Sequence, residues 1–192
     1  MSSLETKLIE WTVTHPRLNS RDRYIGLSKI GDCPLSNYHM YFNHGFGDRD
    51  ENLMLKFWIG YAAEDDVVAR LRGVGNYQPG IAISLCNGMV QGHTDGSLDG
   101  RLVEIKSVVE DAHFPDDGHL PHKVWWQVQA YLRYTQFPGA YVIYLSRGTG
   151  RLKVYEVAEN RGMGRRIHQR VRDLVAAIRD QRPPACECGR CL

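Results

Sequence analysis

Residues 89–106 read MVQGHTDGSLDGRLVEIK and contain the clearest structural signal of the chain. An Asp-Gly pair between two runs that alternate apolar and polar residues is a strong short-range signal of a β-hairpin, and Asp99-Gly100 is such a pair. The pattern therefore predicts strands over residues 89–95 and 101–109, joined by a two-residue turn.

Charged side chains meet across this predicted hairpin. A two-residue turn places Asp95 opposite Glu104, and directly opposed side chains lie about 4.5 to 5.5 Å apart. Like charges at that separation destabilise a sheet, so the pairing argues for a bound cation. Because side chains alternate along a strand, Lys106 shares a face with Glu104, and the same register places His93 opposite Lys106. The alternative is an exposed hairpin whose acidic side chains are merely solvated.

A further carboxylate lies on a helix before the hairpin. The spacing of apolar residues predicts a helix over residues 52–72, and Glu64 falls on its apolar stripe. The other members of the stripe are Leu53, Phe57, Gly60, Val67, Val68 and Leu71. A carboxylate in such a place either reaches solvent or faces a cation, because burying it alone is costly. Oxygen ligands of this kind suit Mg²⁺ or Mn²⁺.

The remaining periodicities complete an α/β pattern around the hairpin. They predict further helices over residues 2–14, 123–134 and 163–180, and further strands over 81–85, 140–146 and 152–158. This element order favours a mixed central sheet flanked by helices. A chain of 192 residues with 43% hydrophobic content can bury one sizeable core, so we expect a single domain spanning residues 1–192.

Composition excludes some broad classes of protein. The sequence has no apolar run near the ~20 residues of a membrane helix, and its first residues, MSSLETKLIEW, lack the pattern of a signal peptide. We therefore expect an intracellular, cytoplasmic protein without a membrane partner. The net charge of +2 argues neither for nor against nucleic acid.

The hairpin residues resemble the signature of the PD-(D/E)XK nuclease superfamily. Gly92-His93-Thr94-Asp95 followed by Glu104-Ile105-Lys106 is similar to the superfamily's aspartate on one strand and Glu-x-Lys on the next. Thr94 departs from the pattern, since proline is expected there.

Two helical motifs extend the resemblance to the RecB-like branch of that superfamily. Gln127 and Tyr131 are similar to the branch's Gln-x-x-x-Tyr motif, and Gly60 with Glu64 is similar to its Gly-x-x-x-(His/Glu) motif. The three motifs occur in the family's order, and the element order matches its restriction-endonuclease-like αβββαβ core, here at about residues 52–158.

The resemblance implies a set of roles for these residues. One or two divalent ions, Mg²⁺ or Mn²⁺, would be held by Glu64, Asp95, Glu104 and the backbone carbonyl of Ile105. Lys106 would orient or activate the attacking water and stabilise charge on the phosphate. Gln127 and Tyr131 would position the substrate or the lysine.

Cysteines crowd the C-terminus of the chain. Cys186, Cys188 and Cys191 supply three thiolates, one short of a tetrahedral sulfur site. In a reducing compartment such a cluster more often binds metal or does redox chemistry than forms disulfides. Cys86 is predicted to lie in a strand as a small buried side chain.

An early cysteine supplies the missing ligand through a second resemblance. Cys33-Pro34 resembles the N-terminal Cys-Pro segment of the CRISPR-associated iron–sulfur exonucleases and the related AddB nuclease domains, which hold a [4Fe-4S] cluster on one early and three late cysteines. The resemblance thus implies a cluster on Cys33, Cys186, Cys188 and Cys191 that joins the N-terminal segment to the tail at 183–192. Zinc at this centre, or a flexible tail with free thiols, is the alternative.

These observations predict a metal-dependent DNA exonuclease that acts on single strands or DNA ends. Its setting would be CRISPR adaptation, or phage or cellular recombination and repair, in a bacterium, archaeon or phage, with proteins of those pathways as partners. Two alternatives are a nucleic-acid-binding or assembly subunit that does not cleave and a restriction-type endonuclease. The arginine-rich face of the last helix either follows DNA phosphates or is an ordinary solvated surface.

Overall fold

The computed structural model describes residues 3–14, 23–43, 51–116 and 118–190. The helices are α1 (Leu4–Thr14), α2 (Pro34–Phe42), α3 (Glu51–Val74), α4 (His122–Thr135) and α5 (Arg161–Arg179). The strands are β1 (Ile25–Gly26), β2 (Tyr77–Pro79), β3 (Ala82–Leu85), β4 (Val90–His93), β5 (Gly96–Leu98), β6 (Arg101–Val108), β7 (Gly139–Ser146) and β8 (Leu152–Ala158). None of the described helices is both long and apolar enough to span a membrane.

The strands form two mixed sheets flanked by helices, which confirms the predicted fold class. The larger sheet has the order β2-β5-β6-β7-β8, with β6 and β7 parallel and the other neighbours antiparallel. The smaller sheet has the order β1-β4-β3, with β1 parallel to β4. The strands β6 and β7 are covered on both faces, which explains their nearly continuous apolar sequences.

Helices cover the two faces of the larger sheet separately. On one face, Val67 and Leu71 of α3 pack against Val103 and Ile105 of β6. On the other face, α4 and α5 pack in the larger apolar cluster. The apolar face of α5 is buried through Ile167, Val171, Leu174, Val175 and Ile178. Asn160 caps this helix because its Oδ1 atom accepts a hydrogen bond from Met163 N at 2.9 Å. Alternation along β6 therefore decides which of its side chains face α4.

The predicted strand over residues 89–95 is too long, because the chain leaves the smaller sheet after His93 and enters the larger sheet at Gly96. Residues Val90–His93 pair in the smaller sheet and Gly96–Leu98 in the larger. Thr94 forms the break, since its N–H donates to Ile81 O at 3.2 Å and its Oγ1 accepts from Ile81 N at 2.9 Å. As a consequence, His93 pairs with Ala82 and does not lie opposite Lys106.

The turn at Asp99-Gly100 and its register are confirmed. Leu98 pairs with Arg101, and the pairing continues as far as Gly96 with Val103. Both turn residues have positive φ, 49° at Asp99 and 77° at Gly100, as a type I′ turn requires. The regular ladder ends at Gly96, so Asp95, the preceding residue in the chain, lies just outside it.

Cys86 lies in a turn and not, as predicted, in a strand. Cys86 and Asn87 have φ values of 53° and 57° and begin the four-residue turn, residues 86–89, between β3 and β4. Cysteine is not a usual residue in the left-handed region, but the Asn87-Gly88 pair that follows it is a common turn sequence and was the available signal. The Cys86 side chain is partly buried against the larger apolar cluster.

The apolar stripe of α3 is buried only in the second half of the helix. Val67 and Leu71 are buried, whereas Phe57 remains 39% exposed. No described atom lies within 4 Å of the position that a Cβ would take at Gly60. The side chain of Leu53 lies outside the described residues. The first half of α3 therefore extends beyond the packed part of the sheet.

Candidate active site

Glu104 lies at the centre of the candidate site, in the middle of β6 and only 2% exposed. Its Oε1 atom accepts hydrogen bonds from Lys106 Nζ at 2.7 Å and from Gln127 Nε2 at 2.7 Å. Its Oε2 atom is buried and has no hydrogen-bond partner among the described residues. A buried oxygen without a partner is costly, so this atom is a strong candidate ligand for a cation.

Asp95 joins Glu104 from the adjoining strand end. Its Oδ2 atom accepts a hydrogen bond from Ile105 N at 2.6 Å, and the Tyr77 hydroxyl donates to the Asp95 carbonyl at 2.6 Å. These two bonds fix Asp95 where the ladder has ended. The structure therefore brings Asp95 and Glu104 together as predicted. The carboxylate of Asp95 binds β6 through the hydrogen bond from Ile105 N, and Asp95 is not part of the β5–β6 ladder.

Glu64 directs a third negative charge toward the same cluster from α3. Burial and the nearer charges have the larger influence on the pKa of Glu104 and of Lys106, and the charge of Glu64 adds a smaller increase to each. The half-buried position of Glu64 matches its predicted place on the helix face. The helix and the hairpin, distant in sequence, thus supply carboxylates to one site.

Burial and mutual repulsion shift the protonation of the carboxylates. Burial, and then the negative charge of Asp95, raises the pKa of Glu104 to about 8, although Lys106 acts in the opposite direction. Burial also raises the pKa of Asp95, which the hydrogen bond from Ile105 partly offsets. A site in which carboxylates hold protons against their ordinary tendency favours a cation that replaces those protons.

Lys106 is held in its charged form. Burial alone lowers the pKa of its ammonium group, but the adjacent charges of Glu104 and Asp95 outweigh burial and raise it. Its Nζ atom donates to Glu104 and, at 3.0 Å, to Gln127 Oε1. Lys106 is therefore a fixed positive charge and hydrogen-bond donor at the edge of the cluster.

Gln127 links the lysine to the glutamate. Its amide oxygen accepts from Lys106, and its amide nitrogen donates to Glu104 and, at 3.4 Å, to the Tyr131 hydroxyl. Tyr131 lies one helical turn after Gln127 on α4, and burial raises the pKa of its phenol. Both predicted helix residues thus lie at the carboxylate cluster. Gln127 contacts Lys106 and Glu104 directly, and Tyr131 contacts Gln127.

The donor set fits Mg²⁺ or Mn²⁺. Glu64, Asp95 and Glu104 offer carboxylate oxygens, and Oε2 of Glu104 lacks another partner among the described residues. Hard divalent ions bind through a few carboxylates and keep other positions for water and phosphate. Ile105 lies against the cluster through the bond from its N–H to Asp95.

Sequence reasoning missed two residues that support the site. Tyr77 donates a hydrogen bond to the Asp95 carbonyl and lies in the short strand β2. The sequence around β2 has no alternation of apolar and polar residues that would have predicted a strand. Gln129 is fully buried, donates to Ala158 O at 2.9 Å and accepts from Asn160 N at 2.8 Å. It fixes α4 to the start of α5, and its polar side chain in a buried helix position was the available signal.

A separate cysteine cluster forms where the N-terminal segment meets the tail. The Sγ atoms of Cys33, Cys186 and Cys188 all lie within 4.8 Å of one another. Cys33 lies 4.0 Å from Cys186, which lies 3.7 Å from Cys188. The structure thus brings the early cysteine to two of the late ones, as predicted, and Cys191 lies outside the described residues. Three convergent thiols fit a thiolate-bound metal.

Arg170 of α5 holds the segments around the cysteine cluster. Its guanidinium donates to Asp32 O at 3.1 Å, pairs with Glu187 in the tail and lies 4.9 Å from the centre of the Trp126 ring. The backbone N–H of Glu187 also donates to Cys33 Sγ at 3.3 Å. Neighbouring residues therefore support the meeting of the two chain regions, whatever the cluster binds.

The fold of this chain is that of solved exonucleases. An alkaline exonuclease from Laribacter hongkongensis, LHK-Exo, has a TM-score of 0.59 at 13% identity, over 90% of this chain and 93% of that chain. A phage-related exonuclease from Haemophilus somnus 129PT has a TM-score of 0.57 at 10% identity, over 86% of this chain and 96% of that chain. The protein SSO0001 has a TM-score of 0.59 at 16% identity, over 100% of this chain and 95% of that chain.

These likenesses establish the fold and not a closer relationship, because all three identities are low. No protein-family model matches the chain, and no curated protein matches it. LHK-Exo has also been solved in complex with dAMP. The chain is therefore an α/β protein of exonuclease fold that carries a buried carboxylate cluster and a separate cysteine cluster.

Proposed function

We propose that this protein is a divalent-metal-dependent DNA nuclease that acts as an exonuclease. The observation that carries the proposal is the buried Oε2 atom of Glu104, which lacks a described partner amid three carboxylates and a lysine. A structural network would satisfy that oxygen, whereas a metal site leaves it for the ion. The likeness to exonuclease folds supports the same conclusion.

Glu64, Asp95 and Glu104 would hold the metal, Mg²⁺ or Mn²⁺, together with the carbonyl of Ile105. A bound ion would lower the pKa of the attacking water and offset negative charge on the phosphate. The carboxylates must be deprotonated to act as ligands, so Glu104 would have to give up the proton that burial favours on it.

Lys106 would stabilise the negative charge that develops on the phosphate. Its raised pKa keeps the ammonium protonated near neutral pH, so it donates hydrogen bonds to water or phosphate and does not act as the base. Gln127 positions this ammonium because its amide contacts both Lys106 and Glu104. Tyr131 supports Gln127 from the next turn of the helix.

DNA, as single strands or duplex ends, is the proposed substrate. The dAMP bound to LHK-Exo and the arginines along the exposed face of α5 support a nucleic-acid substrate. Action in CRISPR adaptation or in phage or cellular recombination, with partner proteins of those pathways, remains a prediction from the sequence, as do the cytoplasmic location and the single domain.

The proposal also includes a [4Fe-4S] cluster on Cys33, Cys186, Cys188 and Cys191. The convergence of three of these thiols supports it. Protein purified without oxygen should be brown and contain about four iron atoms per chain. Colourless protein with stoichiometric zinc would replace this cluster with the zinc alternative.

End-labelled DNA provides the direct test of the activity. Single-stranded and duplex oligonucleotides are incubated with Mg²⁺, Mn²⁺ or EDTA. The proposal expects metal-dependent release of short labelled products from one end. Discrete internal products would indicate an endonuclease, and uncut DNA bound to folded, metal-loaded protein would indicate the non-cleaving subunit.

A further inference from the structure

Three positively charged side chains form a line from the carboxylate cluster across α4 to α5, and they are Lys106, Lys123 and Arg166. This basic line begins at Lys106, whose side chain is 30% exposed and whose ammonium donates to Gln127 of α4. Lys123 lies four residues before Gln127, so it shares that face of α4, about 5.4 Å nearer the start of the helix. The first turn of α4 therefore places a second ammonium beside the candidate active site.

Asp32 connects the first turn of α4 to α5. Its Oδ1 atom lies 3.1 Å from Lys123 Nζ, and its backbone carbonyl accepts a hydrogen bond from Arg170 at 3.1 Å. Arg170 and Arg166 both lie against the ring of Trp126, with their guanidinium carbons 4.9 and 5.4 Å from its centre. These contacts place Arg166 on the same side of the molecule as Lys123.

Arg166 differs from its charged neighbours because no described acidic side chain neutralises it. Arg170 pairs with Glu187, and Lys123 pairs with Asp32. Arg166 is exposed, and its described contact is the tryptophan ring that it shares with Arg170. Because the ring already orients this guanidinium, little further freedom is lost when it binds an anion. Arg166 is therefore suited to contact a phosphate.

The other exposed arginines of α5 lie on a different side of the helix. Their spacing of four and seven residues places them in a stripe of their own, about 100 to 140° around the helix from Arg166. They are Arg161, Arg165, Arg172 and Arg179. Arg179 also lies about 20 Å from Arg166 along the helix axis. The basic line is therefore distinct from the arginine stripe.

We propose that a single DNA strand bound at the carboxylate cluster continues along the basic line, with Lys123 and Arg166 each contacting one of its phosphates. Lys123 is 73% exposed, so its ion pair with Asp32 contributes little and a phosphate can replace the carboxylate. This inference rests on the proposed nuclease function and adds to it the route of the substrate strand.

The salt dependence of DNA binding tests the route. A fluorescein-labelled single-stranded 12-mer is titrated by fluorescence anisotropy in EDTA, which prevents metal-dependent cleavage. Lys123→Ala and Arg166→Ala should each weaken binding about fivefold at 0.1 M salt and lower the slope of log K against log salt by about 0.7, because one phosphate contact is lost. The double variant should lower the slope by about 1.4.

Arg179→Ala is the matched control for the charge. It removes the same type of exposed side chain from the same helix, but from the arginine stripe. Arg179→Ala should keep both the affinity and the slope of the unaltered protein. A loss equal to that of Arg166→Ala would show that binding follows net charge and would overturn the route.

Two further variants separate phosphate contact from packing. Arg166→Lys keeps the charge without the planar guanidinium, so it should keep the slope that Arg166→Ala loses. Asp32→Asn releases Lys123 from its ion pair, so DNA binding should be retained or tightened. If Lys123 and Asp32 served only to hold α4 in place, Lys123→Ala and Asp32→Asn would lower the melting temperature alike and leave the slope unchanged, which would overturn the route.

The outcomes separate the route from the catalytic proposal. An unchanged slope for Lys123→Ala or for Arg166→Ala, or no binding by the unaltered protein, overturns the route even if the protein cleaves end-labelled DNA in Mg²⁺. Selective loss with both variants in a folded protein that cuts no DNA keeps the basic line as a DNA-binding surface and removes the nuclease function.

Discussion

The carboxylate cluster and the cysteine cluster are built in opposite ways. Glu104 and Lys106 lie two residues apart on a central strand, and Gln127 fixes both from a packed helix. Cys33 and Cys186 come from segments more than 150 residues apart, and their neighbour Cys188 is exposed. The first cluster is therefore fixed by the packed core, whereas the second depends on the contacts of Arg170 and Glu187 that hold the tail to the N-terminal segment.

Removing the central carboxylate should have the largest effect. Glu104→Gln keeps the shape of the side chain but weakens metal binding, so cleavage should fall by about 10³-fold or more. The variant should be at least as stable as the unaltered protein without metal, because a buried carboxylate disappears. Rates are measured on end-labelled DNA and stability by thermal melting. Retained metal-dependent cleavage would remove Glu104 from the site.

Breaking the cysteine cluster should act on stability first. A bound centre at a hundredfold excess over its Kd adds about 2.7 kcal/mol, so Cys33→Ser should lower the melting temperature by roughly 5 to 10 °C. Cys86→Ser is the control, because Cys86 lies apart in the β3–β4 turn. Iron and zinc contents are measured on the same samples. Equal melting temperatures and metal contents for the two variants would contradict a bound centre.

Two glutamines of α4 should have different roles. Gln127 positions Lys106, whereas Gln129 stabilises the packing of the helix. Gln127→Leu should reduce kcat about 10- to 100-fold with little change in KM, since it releases Lys106. Gln129→Leu should instead destabilise the fold by about 1 to 3 kcal/mol, because Ala158 O and Asn160 N lose their partner. Denaturant unfolding and steady-state kinetics distinguish them. The reverse assignment of effects would show that Gln127 is structural.

Protonation of Glu104 should make stability depend on pH when no metal is bound. The folded protein keeps the Glu104 proton up to about pH 8, whereas the unfolded chain loses it near the model-peptide value of 4.5. Between these values the folded state binds more protons, so stability falls as pH rises, by up to about 1.4 kcal/mol per pH unit. Glu104→Gln should flatten this dependence in urea unfolding in EDTA. An unchanged slope in the variant would assign the dependence to other groups.

The sequence predicted which residues lie close together better than it predicted the strands that carry them. Asp99-Gly100 determined the hairpin register, and Glu64 was identified because it interrupts an apolar stripe. The change of sheets at Thr94 was not predictable, because it depends on hydrogen bonds to Ile81, which lies just before β3 and not, as predicted, within that strand. Local patterns specify local pairing, whereas the choice between two sheets is a tertiary property.

The predicted burial of α3 failed for a similar reason. Phe57 and Gly60 have the helical spacing of core residues, but the sheet does not extend beneath them. Periodicity shows which face of a helix is apolar and not how much of that face finds a partner.

Anomalous diffraction from crystals grown with Mn²⁺ would locate a metal ion at Glu104. We expect an anomalous peak about 2.0 to 2.2 Å from Glu104 Oε2, with Asp95 or Glu64 among the other ligands, and no such peak for Glu104→Gln. A fully loaded crystal with no Mn²⁺ at Glu104, or with the same peak in Glu104→Gln, would contradict it.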